Sequence, residues 1–162
     1  MPNKADIVVG ISDMHVTTNE SDVLVTYSLG SCVGLALYDP RAGVGGLLHA
    51  MMPLSTADPM KAALKPAMYT DTGVTALLQM LFDRGATRRS IVAKVAGAGA
   101  SMDGAGLFRI GERNHMVLRK ILWKNDILIA AEDVGGSCAR TLVLEMATGR
   151  TVVKSIRGTR EL

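Results

Sequence analysis

Cysteine is scarce in this 162-residue chain, which contains only Cys32 and Cys138. The first residues lack the long apolar stretch of a secretory signal peptide, so we expect a cytoplasmic protein with two free thiols rather than a disulfide. Long apolar runs are missing as well. No run approaches the roughly 20 residues that a membrane-spanning helix needs, which argues against membrane insertion.

Metal-binding patterns and strong charge are also missing. The chain has no Cys-x-x-Cys pair, and its three histidines, His15, His49 and His115, are far apart, so the sequence predicts neither a metal site nor a cofactor. The net charge of +3 is too small and too scattered to indicate nucleic-acid binding. The 48% of hydrophobic residues and 20% of charged residues are typical of a globular chain, and we expect one domain over residues 1–162.

Apolar periodicity predicts an α+β fold in which strands are the majority. Two helices are expected, at about residues 66–84 and 112–124, and Gly85 is placed to cap the first. The polar segment 54–65 predicts a mobile loop, and the Gly-rich stretch 97–106 predicts a structural turn or a wall of the active site rather than a phosphate site. The strands are predicted at residues 7–11, 22–27, 33–38, 44–51, 91–96, 127–131, 141–146 and 151–155.

Cys32 and His49 are the candidates for chemistry. Cys32 ends a turn in which Gly30 permits unusual backbone angles, and His49 lies in the apolar run 44–51. The turn signal at residues 39–43 predicts an antiparallel hairpin that lays the His49 strand beside the strand that follows Cys32. A neighbouring His can stabilise a thiolate and carry a proton to the leaving group. For each residue alone, the alternative is a structural role as a buried apolar Cys and a core His.

Several short motifs follow one another along the chain. The first three read Thr26-x-x-Leu29-Gly30-Ser31-Cys32-Val33, Tyr38-Asp39 and Gly45-Gly46-x-x-His49-x-Met51-x-Pro53. The later ones are Tyr69-x-Asp71, Gly85-Ala86, Lys94, Ile110-Gly111-x-Arg113-Asn114, Asp133-Val134-Gly135-Gly136, Arg140 and Thr148-Gly149. In this order the sequence resembles the chemoreceptor glutamine deamidases of bacterial and archaeal chemotaxis (CheD). It departs from the family at residues 96–100, where the family usually has an aromatic residue and Gly-Gly-Ala.

The resemblance implies a protein-glutamine glutaminase that deamidates glutamine side chains of methyl-accepting chemotaxis receptors. It implies that Cys32, His49 and Thr26 are catalytic and that a CheC-type chemotaxis phosphatase is a partner. The implied fold is a β-sandwich-like core of mixed sheets flanked by two main helices, similar to bacterial toxin deamidase domains. Two alternatives stay open: a regulatory module that docks on the CheC-type phosphatase, and a cysteine amidohydrolase with another protein target.

The chemistry assigns further expected roles around Cys32. Attack by its thiolate on a carboxamide creates an oxyanion, and backbone N–H groups at the turn, supported by Gly30 and Ser31, are the natural donors to it. The hydroxyl of Thr26 could orient the imidazole, although an ordinary strand Thr is the alternative.

Other motif residues are expected to be structural. Arg113 and Asn114 could cap the second helix or line a groove, of which we expect capping, and Cys138 is expected to be structural. Tyr69 and Asp71 are expected to hold the start of the first helix against the loop that follows His49.

Overall fold

The computed structural model describes residues 6–100 and 109–162. The strands are β1 Asp6–Val8, β2 Asp13–Thr17, β3 Val23–Leu29, β4 Val33–Asp39, β5 Val44–Ala50, β6 Val92–Gly97, β7 Ile129–Val134, β8 Arg140–Glu145, β9 Arg150–Ser155 and β10 Gly158–Glu161. The helices are α1 Pro59–Leu64, α2 Thr70–Asp83 and α3 Ile110–Lys124, with short 3-10 turns at Ser55–Ala57 and Pro66–Met68.

Within these residues the strands form two five-stranded sheets. The first sheet has the order β1-β3-β8-β9-β10, and the second has the order β2-β5-β4-β6-β7. Most neighbours are antiparallel, whereas β1 with β3 and β6 with β7 are parallel pairs. The predicted hairpin is confirmed, because β4 pairs with β5 in a register that sets Gly34 opposite His49. The predicted α+β class, with mixed sheets and two main helices, is therefore also confirmed.

The second sheet is the middle layer of the fold. One of its faces packs against α2 and α3, where Leu48 joins a cluster with Leu77 and Leu118. The other face packs against the first sheet, where Leu47 joins a cluster with Leu142. Side chains alternate along a strand, so β5 directs Leu48 toward the helices and Leu47 toward the first sheet. Each fully buried leucine of these clusters contributes about 2 kcal/mol to folding by leaving water.

The polar segment after β5 is helical, so the prediction of a mobile loop at residues 54–65 is wrong. Helix α1 begins there because Pro59 presets the first helical turn and the side chain of Asp58 accepts a hydrogen bond from the Lys61 N–H at 3.1 Å. Gly85 does cap α2 as predicted: its φ is +95°, and its N–H donates to the carbonyl of Phe82 at 3.0 Å.

Two strands escaped prediction, and each is poor in large apolar residues. β10 has the sequence Gly-Thr-Arg-Glu and is exposed along its whole length at the edge of the first sheet. β2 has only Met14 and Val16 as apolar residues, and it lies at the edge of the second sheet. Edge strands of this kind are stabilised by backbone pairing to a formed sheet, which leaves little signature in the side chains.

Asp39 fixes the turn of the β4–β5 hairpin. Its buried carboxylate accepts hydrogen bonds from the N–H groups of Arg41, Ala42 and Thr87, each at 2.9 Å, and from the hydroxyl of Ser90 at 2.5 Å. Burial alone would raise the pKa of Asp39, but these hydrogen bonds to the charged form outweigh burial and hold its pKa below the usual value. The carboxylate is therefore fully engaged in holding the turn.

Candidate active site

His49 lies on the face of β5 that is turned toward the first sheet, and it is 0% exposed. Its Nδ1 is 2.7 Å from the hydroxyl oxygen of Thr26 on β3. That hydroxyl donates its only hydrogen to the carbonyl oxygen of Val9, also at 2.7 Å. The Thr26 oxygen must therefore accept a hydrogen bond from the imidazole, so Nδ1 carries the proton of neutral His49.

The second ring nitrogen of His49, Nε2, is consequently a free acceptor. It is buried and has no hydrogen-bond partner among the residues that the structure describes. A buried polar atom without a partner costs about 1–3 kcal/mol, so such an atom calls for a functional explanation. Burial lowers the pKa of His49 to about 4. At neutral pH the ring is therefore uncharged, and the lone pair of Nε2 is available as a base.

Cys32 directly precedes β4 and lies diagonally across the hairpin from His49. His49 is opposite Gly34, and Cys32 is two residues before Gly34, so both side chains belong to the same face of the sheet. The packing agrees, because Cys32 contacts the cluster between the two sheets. Cys32 is half-buried and, like Cys138, it is a free thiol, as predicted. The hairpin thus brings the thiol and the imidazole of the sequence motifs to one side of the sheet.

The surroundings of Cys32 favour the thiol over the thiolate in the free protein. Burial raises its pKa, and the opposing effect of its own backbone N–H is smaller. With the pKa of His49 lowered, the two groups form a pair of neutral thiol and neutral imidazole. Burial disfavours both charged forms where water is excluded, and the expectation that His49 stabilises the thiolate stays a prediction.

The turn before Cys32 departs from regular geometry at Ser28 rather than at Gly30. Ser28 has a φ of 60°, whereas Gly30 is not in the left-handed region. The pairing of β3 with β8 shifts register between Thr26 and Leu29, which is where the chain bulges. A Cβ at Gly30 would meet open space. The expectation that Gly30 supplies unusual backbone angles is therefore wrong, because Ser28 takes up the bend.

The backbone of the turn is largely engaged in hydrogen bonds. The N–H of Gly30 donates to the carbonyl of Ser28 at 3.0 Å, and the carbonyl of Gly30 accepts from the N–H of Gly99 at 2.7 Å. The carbonyl of Ser31 accepts from the side chain of Asn114. Gly30 and Ser31 therefore support the turn, and the N–H of Cys32, which lies against its own sulfur, is a candidate donor to an oxyanion.

The chain that follows β6 forms a wall against this turn. The N–H of Ala98 donates to the carbonyl of Cys32 at 2.8 Å. Gly97 has a φ of +97°, and a Cβ there would lie 2.5 Å from that same carbonyl oxygen, so only glycine fits. The described part of the Gly-rich stretch thus agrees with the predicted wall, while residues 101–106 of that stretch lie outside the described residues.

Asn114 is a site residue whose place the sequence reasoning missed. It is 0% exposed, and its Nδ2 donates to the carbonyl oxygens of Ser31 at 3.0 Å and Met51 at 3.1 Å. Its Oδ1 accepts from the hydroxyl of Thr70 at 3.0 Å. Asn114 therefore connects the residue before the thiol with the strand that carries the imidazole.

The predicted capping role of Arg113 and Asn114 is wrong. Helix α3 starts at Ile110, so both residues lie inside it, and within residues 6–100 and 109–162 no side chain caps its N-terminus. A signal for the true position of Asn114 was present, because it lies four residues before Leu118 and eight before Leu122, on the buried stripe of the helix. A polar residue on that stripe must find buried partners.

Two further residues, Asp71 and Arg140, stabilise the segments around the site. Asp71 accepts hydrogen bonds from the N–H of Ser55 at 2.9 Å and from its hydroxyl at 2.7 Å, which holds the loop after β5 as predicted. Arg140 is buried and donates to the carbonyls of Gly135 at 2.7 Å and Gly97 at 3.4 Å. These bonds tie the end of β6 to the end of the first sheet.

Other surfaces and groups lie apart from this site. A groove of about 980 Å³ runs between α3 and β7, and neither Thr26, Cys32 nor His49 lines it. Among the described residues, no three His, Cys, Asp or Glu side chains cluster as metal ligands would. In that same part of the chain, no helix is both long and apolar enough to cross a membrane.

The chain was compared with known proteins. The family model described as "CheD chemotactic sensory transduction" matches residues 51–155. A protein named probable chemoreceptor glutamine deamidase CheD 1, from Syntrophus aciditrophicus, is 48% identical over 94% of this chain and 96% of its own. Its counterpart from Solibacter usitatus is 49% identical over 89% of this chain and 85% of its own.

Among solved structures, the Bacillus licheniformis hypothetical protein YfiH matches 77% of this chain and 50% of its own, with a TM-score of 0.49 and 16% identity. The likeness to toxin deamidases implied by the motifs stays a prediction. The sequence relatives, in contrast, span nearly all of both chains at close to half identity, and they agree with the family model. This chain therefore belongs to the CheD family of chemoreceptor glutamine deamidases.

Proposed function

We propose that this protein hydrolyses glutamine side chains of chemotaxis receptors to glutamate, with Cys32 as nucleophile, His49 as acid and base, and Thr26 as the residue that orients the imidazole. The observation that carries the proposal is the buried, unpartnered Nε2 of His49 on the face that it shares with Cys32. The substrate class follows the names of the relatives, which are called chemoreceptor glutamine deamidases.

The first half of the reaction releases ammonia. The proton of the Cys32 thiol passes to Nε2 of His49 while the sulfur bonds to the carboxamide carbon, whose oxygen becomes an oxyanion. The Cys32 N–H is the candidate donor to that oxyanion, and one such donor accelerates a reaction about 10²–10³-fold. The intermediate collapses when the carbon–nitrogen bond breaks, and the leaving nitrogen takes the proton from Nε2. A thioester remains on Cys32.

The second half restores the enzyme. Water attacks the thioester carbon and gives a proton to Nε2, the carbon–sulfur bond breaks, and the sulfur takes that proton back. Throughout, Nδ1 keeps its proton because the Thr26 hydroxyl can only accept from it while donating to Val9. The Val9 carbonyl and Thr26 thus hold the imidazole in the tautomer that leaves Nε2 as the base.

The neutral pair in the free protein suits a nucleophile that must not react before its substrate arrives. The raised pKa of Cys32 keeps the thiol protonated in the cytoplasm that we propose as its location, which limits oxidation and alkylation. The thiolate and imidazolium form together, so each stabilises the other in a site from which bound substrate excludes water. Activation therefore accompanies substrate binding rather than preceding it.

A CheC-type chemotaxis phosphatase is our proposed partner, as the motif resemblance implied. Docking alone does not require a thiol, so the variant Cys32→Ala separates catalysis from a purely regulatory role. If this variant bound the phosphatase and altered its activity as well as wild type does, while wild type left receptors unmodified, the regulatory alternative would replace our proposal.

Mass spectrometry of a receptor signalling domain incubated with the protein tests the proposal. Wild type and the matched thiol control Cys138→Ala are expected to produce the mass gain of carboxamide converted to carboxylate at particular glutamines. Cys32→Ala and His49→Ala are expected to produce none. Undiminished conversion by folded Cys32→Ala would remove the nucleophile assignment, and conversion only of non-receptor proteins by wild type would favour another target.

A further inference from the structure

The geometry points to Asn114 as a positioning residue that sets the placement of Cys32 relative to His49. This inference rests on the proposed function and adds to it a residue outside the Cys-His-Thr set. The side chain of Asn114 makes its hydrogen bonds with Ser31, Met51 and Thr70 rather than with the sulfur or the imidazole. It therefore acts through the backbone that carries the two reacting groups.

Asn114 lies where the hairpin ladder stops. The pairing of β4 with β5 ends at Val33 opposite Ala50. Val33 immediately follows Cys32 in the chain, and Ala50 immediately follows His49. Beyond that pair the two strands separate. The N–H of Met51 donates to the carbonyl of Met68 rather than to the segment that contains Cys32. Where this backbone pairing is absent, the carboxamide of Asn114 donates two hydrogen bonds, one to the carbonyl of Ser31 and one to that of Met51.

The orientation of this carboxamide is determined by its partners. Two backbone carbonyls can only accept hydrogen bonds, so the Nδ2 of Asn114 must face Ser31 and Met51. The Oδ1 then faces the hydroxyl of Thr70, which donates to it. Both Asn114 and Thr70 are 0% exposed, so water does not compete for these bonds. Both the Nδ2 and the Oδ1 of the carboxamide are therefore engaged in hydrogen bonds.

Helix α3, which carries Asn114, packs against the wall beside Cys32. A Cβ at Gly111, one helical turn before Asn114, would lie 2.7 Å from the carbonyl carbon of Ala98 in the wall beside Cys32. The start of α3 and this wall are therefore in close contact. A side chain anchored on a helix in such contact is held more precisely than one on a loop. A shift of the reacting atoms by about 1 Å can lower a rate about 10²-fold, so precision at this position has a kinetic consequence.

The first test separates positioning from substrate binding. Asn114→Ala is expected to lower kcat for receptor deamidation about 10²-fold with little change in KM, because the reacting groups move while the surface that receives substrate does not. Asn114→Asp is expected to lower it further, because a carboxylate cannot donate and its oxygens repel both carbonyls. Thr70→Val, which removes only the hydroxyl that orients the carboxamide, should fall between wild type and Asn114→Ala.

Asn125 provides the matched control. It lies at the C-terminal end of the same helix, is half-buried, and also donates its Nδ2 to a backbone carbonyl, that of Ile121 at 2.9 Å. Asn125→Ala is expected to leave kcat unchanged. Equal loss of kcat in Asn114→Ala and Asn125→Ala, at equal thermal stability, would mean that Asn114 only stabilises the helix, and the inference would fail.

A double-mutant cycle on kcat for receptor deamidation gives a readout that stability alone would not move, because losses through stability alone are additive. In wild type, His49→Ala is expected to lower kcat because the base is lost. In the Asn114→Ala background, where the backbone segments of thiol and imidazole are no longer held together, His49→Ala should lower kcat by a much smaller factor. Equal factors in both backgrounds would overturn the role of Asn114 while leaving the pair intact. If His49→Ala left wild-type kcat unchanged and Cys32→Ala still deamidated receptors, the proposed function itself would be wrong.

Discussion

Asp39 and His49 are two buried titratable groups near opposite ends of one hairpin, and they differ in how far their hydrogen bonds are satisfied. Asp39 accepts bonds from three backbone N–H groups and a hydroxyl. His49 has a partner at Nδ1 and none, among the described residues, at Nε2. Both groups are 0% exposed, so burial alone does not distinguish them.

The difference separates a structural group from a functional one. A buried polar group that is fully bonded stabilises the fold, and Asp39 uses its bonds to close the hairpin turn. A buried polar atom without a partner weakens the fold and is retained where a reaction needs it. The same hairpin therefore has a structural end at Asp39 and a reactive end at His49, which shares a face of the sheet with Cys32.

The largest expected effect is the loss of kcat when the reactive end of the hairpin is changed. His49→Ala is expected to lower kcat for receptor deamidation by about 10³-fold or more, because proton transfer to and from the sulfur is lost. Asp39→Ala is expected to leave kcat per folded molecule unchanged while destabilising the protein by about 2–3 kcal/mol, since several N–H groups lose their acceptor. Deamidation kinetics together with urea denaturation measure both quantities. Normal kcat in His49→Ala, or a catalytic defect in Asp39→Ala at full folding, would reverse the two roles.

The second prediction concerns acid. The pKa of His49 is about 4 in the folded protein against 6.5 for an ordinary histidine, so the unfolded chain binds more protons between these values. Stability therefore falls as pH drops from 6.5 to about 4, and His49 accounts for about 3 kcal/mol of the fall. The variant His49→Gln, which does not titrate, should lose correspondingly less stability over this range in urea denaturation.

Asp39 provides a control for that measurement because its carboxylate takes up a proton at a lower pH than His49 does. Its folded pKa lies below the ordinary value of 3.8, so the stability that it contributes is present above 3.8 and is lost only as pH falls through the lower folded pKa. Asp39→Asn should consequently show the same slope of stability against pH as wild type between 6.5 and about 5, above the range in which an unfolded Asp takes up its proton. Identical slopes for wild type and His49→Gln in that interval would contradict the neutral, buried imidazole.

The third prediction tests the partner of Nδ1. Thr26→Val keeps the shape of the side chain but removes the hydroxyl that accepts from Nδ1, so kcat is expected to fall about 10²-fold. Thr26→Ser retains a hydroxyl and should recover most of the rate. Steady-state kinetics of the two variants are sufficient, and equal rates in both would show that Thr26 is an ordinary strand residue.

The smallest expected effect is at Gly30. Its φ is not in the left-handed region and a Cβ there meets open space, so Gly30→Ala should change the free energy of unfolding by less than about 0.5 kcal/mol. Gly97→Ala is the contrasting variant, because its Cβ would collide with the carbonyl of Cys32 and its φ is +97°. A large destabilisation by Gly30→Ala would mean that the turn depends on glycine after all.

The sequence predicted the parts of the site that depend on local patterns. The turn signal at residues 39–43 gave the hairpin, and the hairpin brought Cys32 and His49 to one face. The C-terminal cap at Gly85 followed from residue type and position. Such features depend on residues close together in the chain, so periodicity and turn chemistry reveal them.

The parts that the sequence did not predict depend on backbone atoms that come from distant segments. The hydroxyl of Thr26 donates to the backbone carbonyl of Val9. Every residue type has such a carbonyl, so the identity of residue 9 does not indicate this bond. The bonds from Asn114 to the carbonyls of Ser31 and Met51 join three separate segments. The unusual φ falls at Ser28 although Gly30 is two residues away, because the bulge of β3 against β8 places the bend there.

The most direct test is to measure the protonation state of His49 by ¹⁵N NMR of imidazole-labelled protein from about pH 3 to about pH 8. We expect that Nδ1 carries the proton and Nε2 is bare at neutral pH, and that the ring becomes charged only near pH 4. Thr26→Val should weaken the preference for this tautomer. A proton on Nε2 at neutral pH, or a pKa near 6.5, would contradict the claim that the structure holds His49 as a ready base for Cys32.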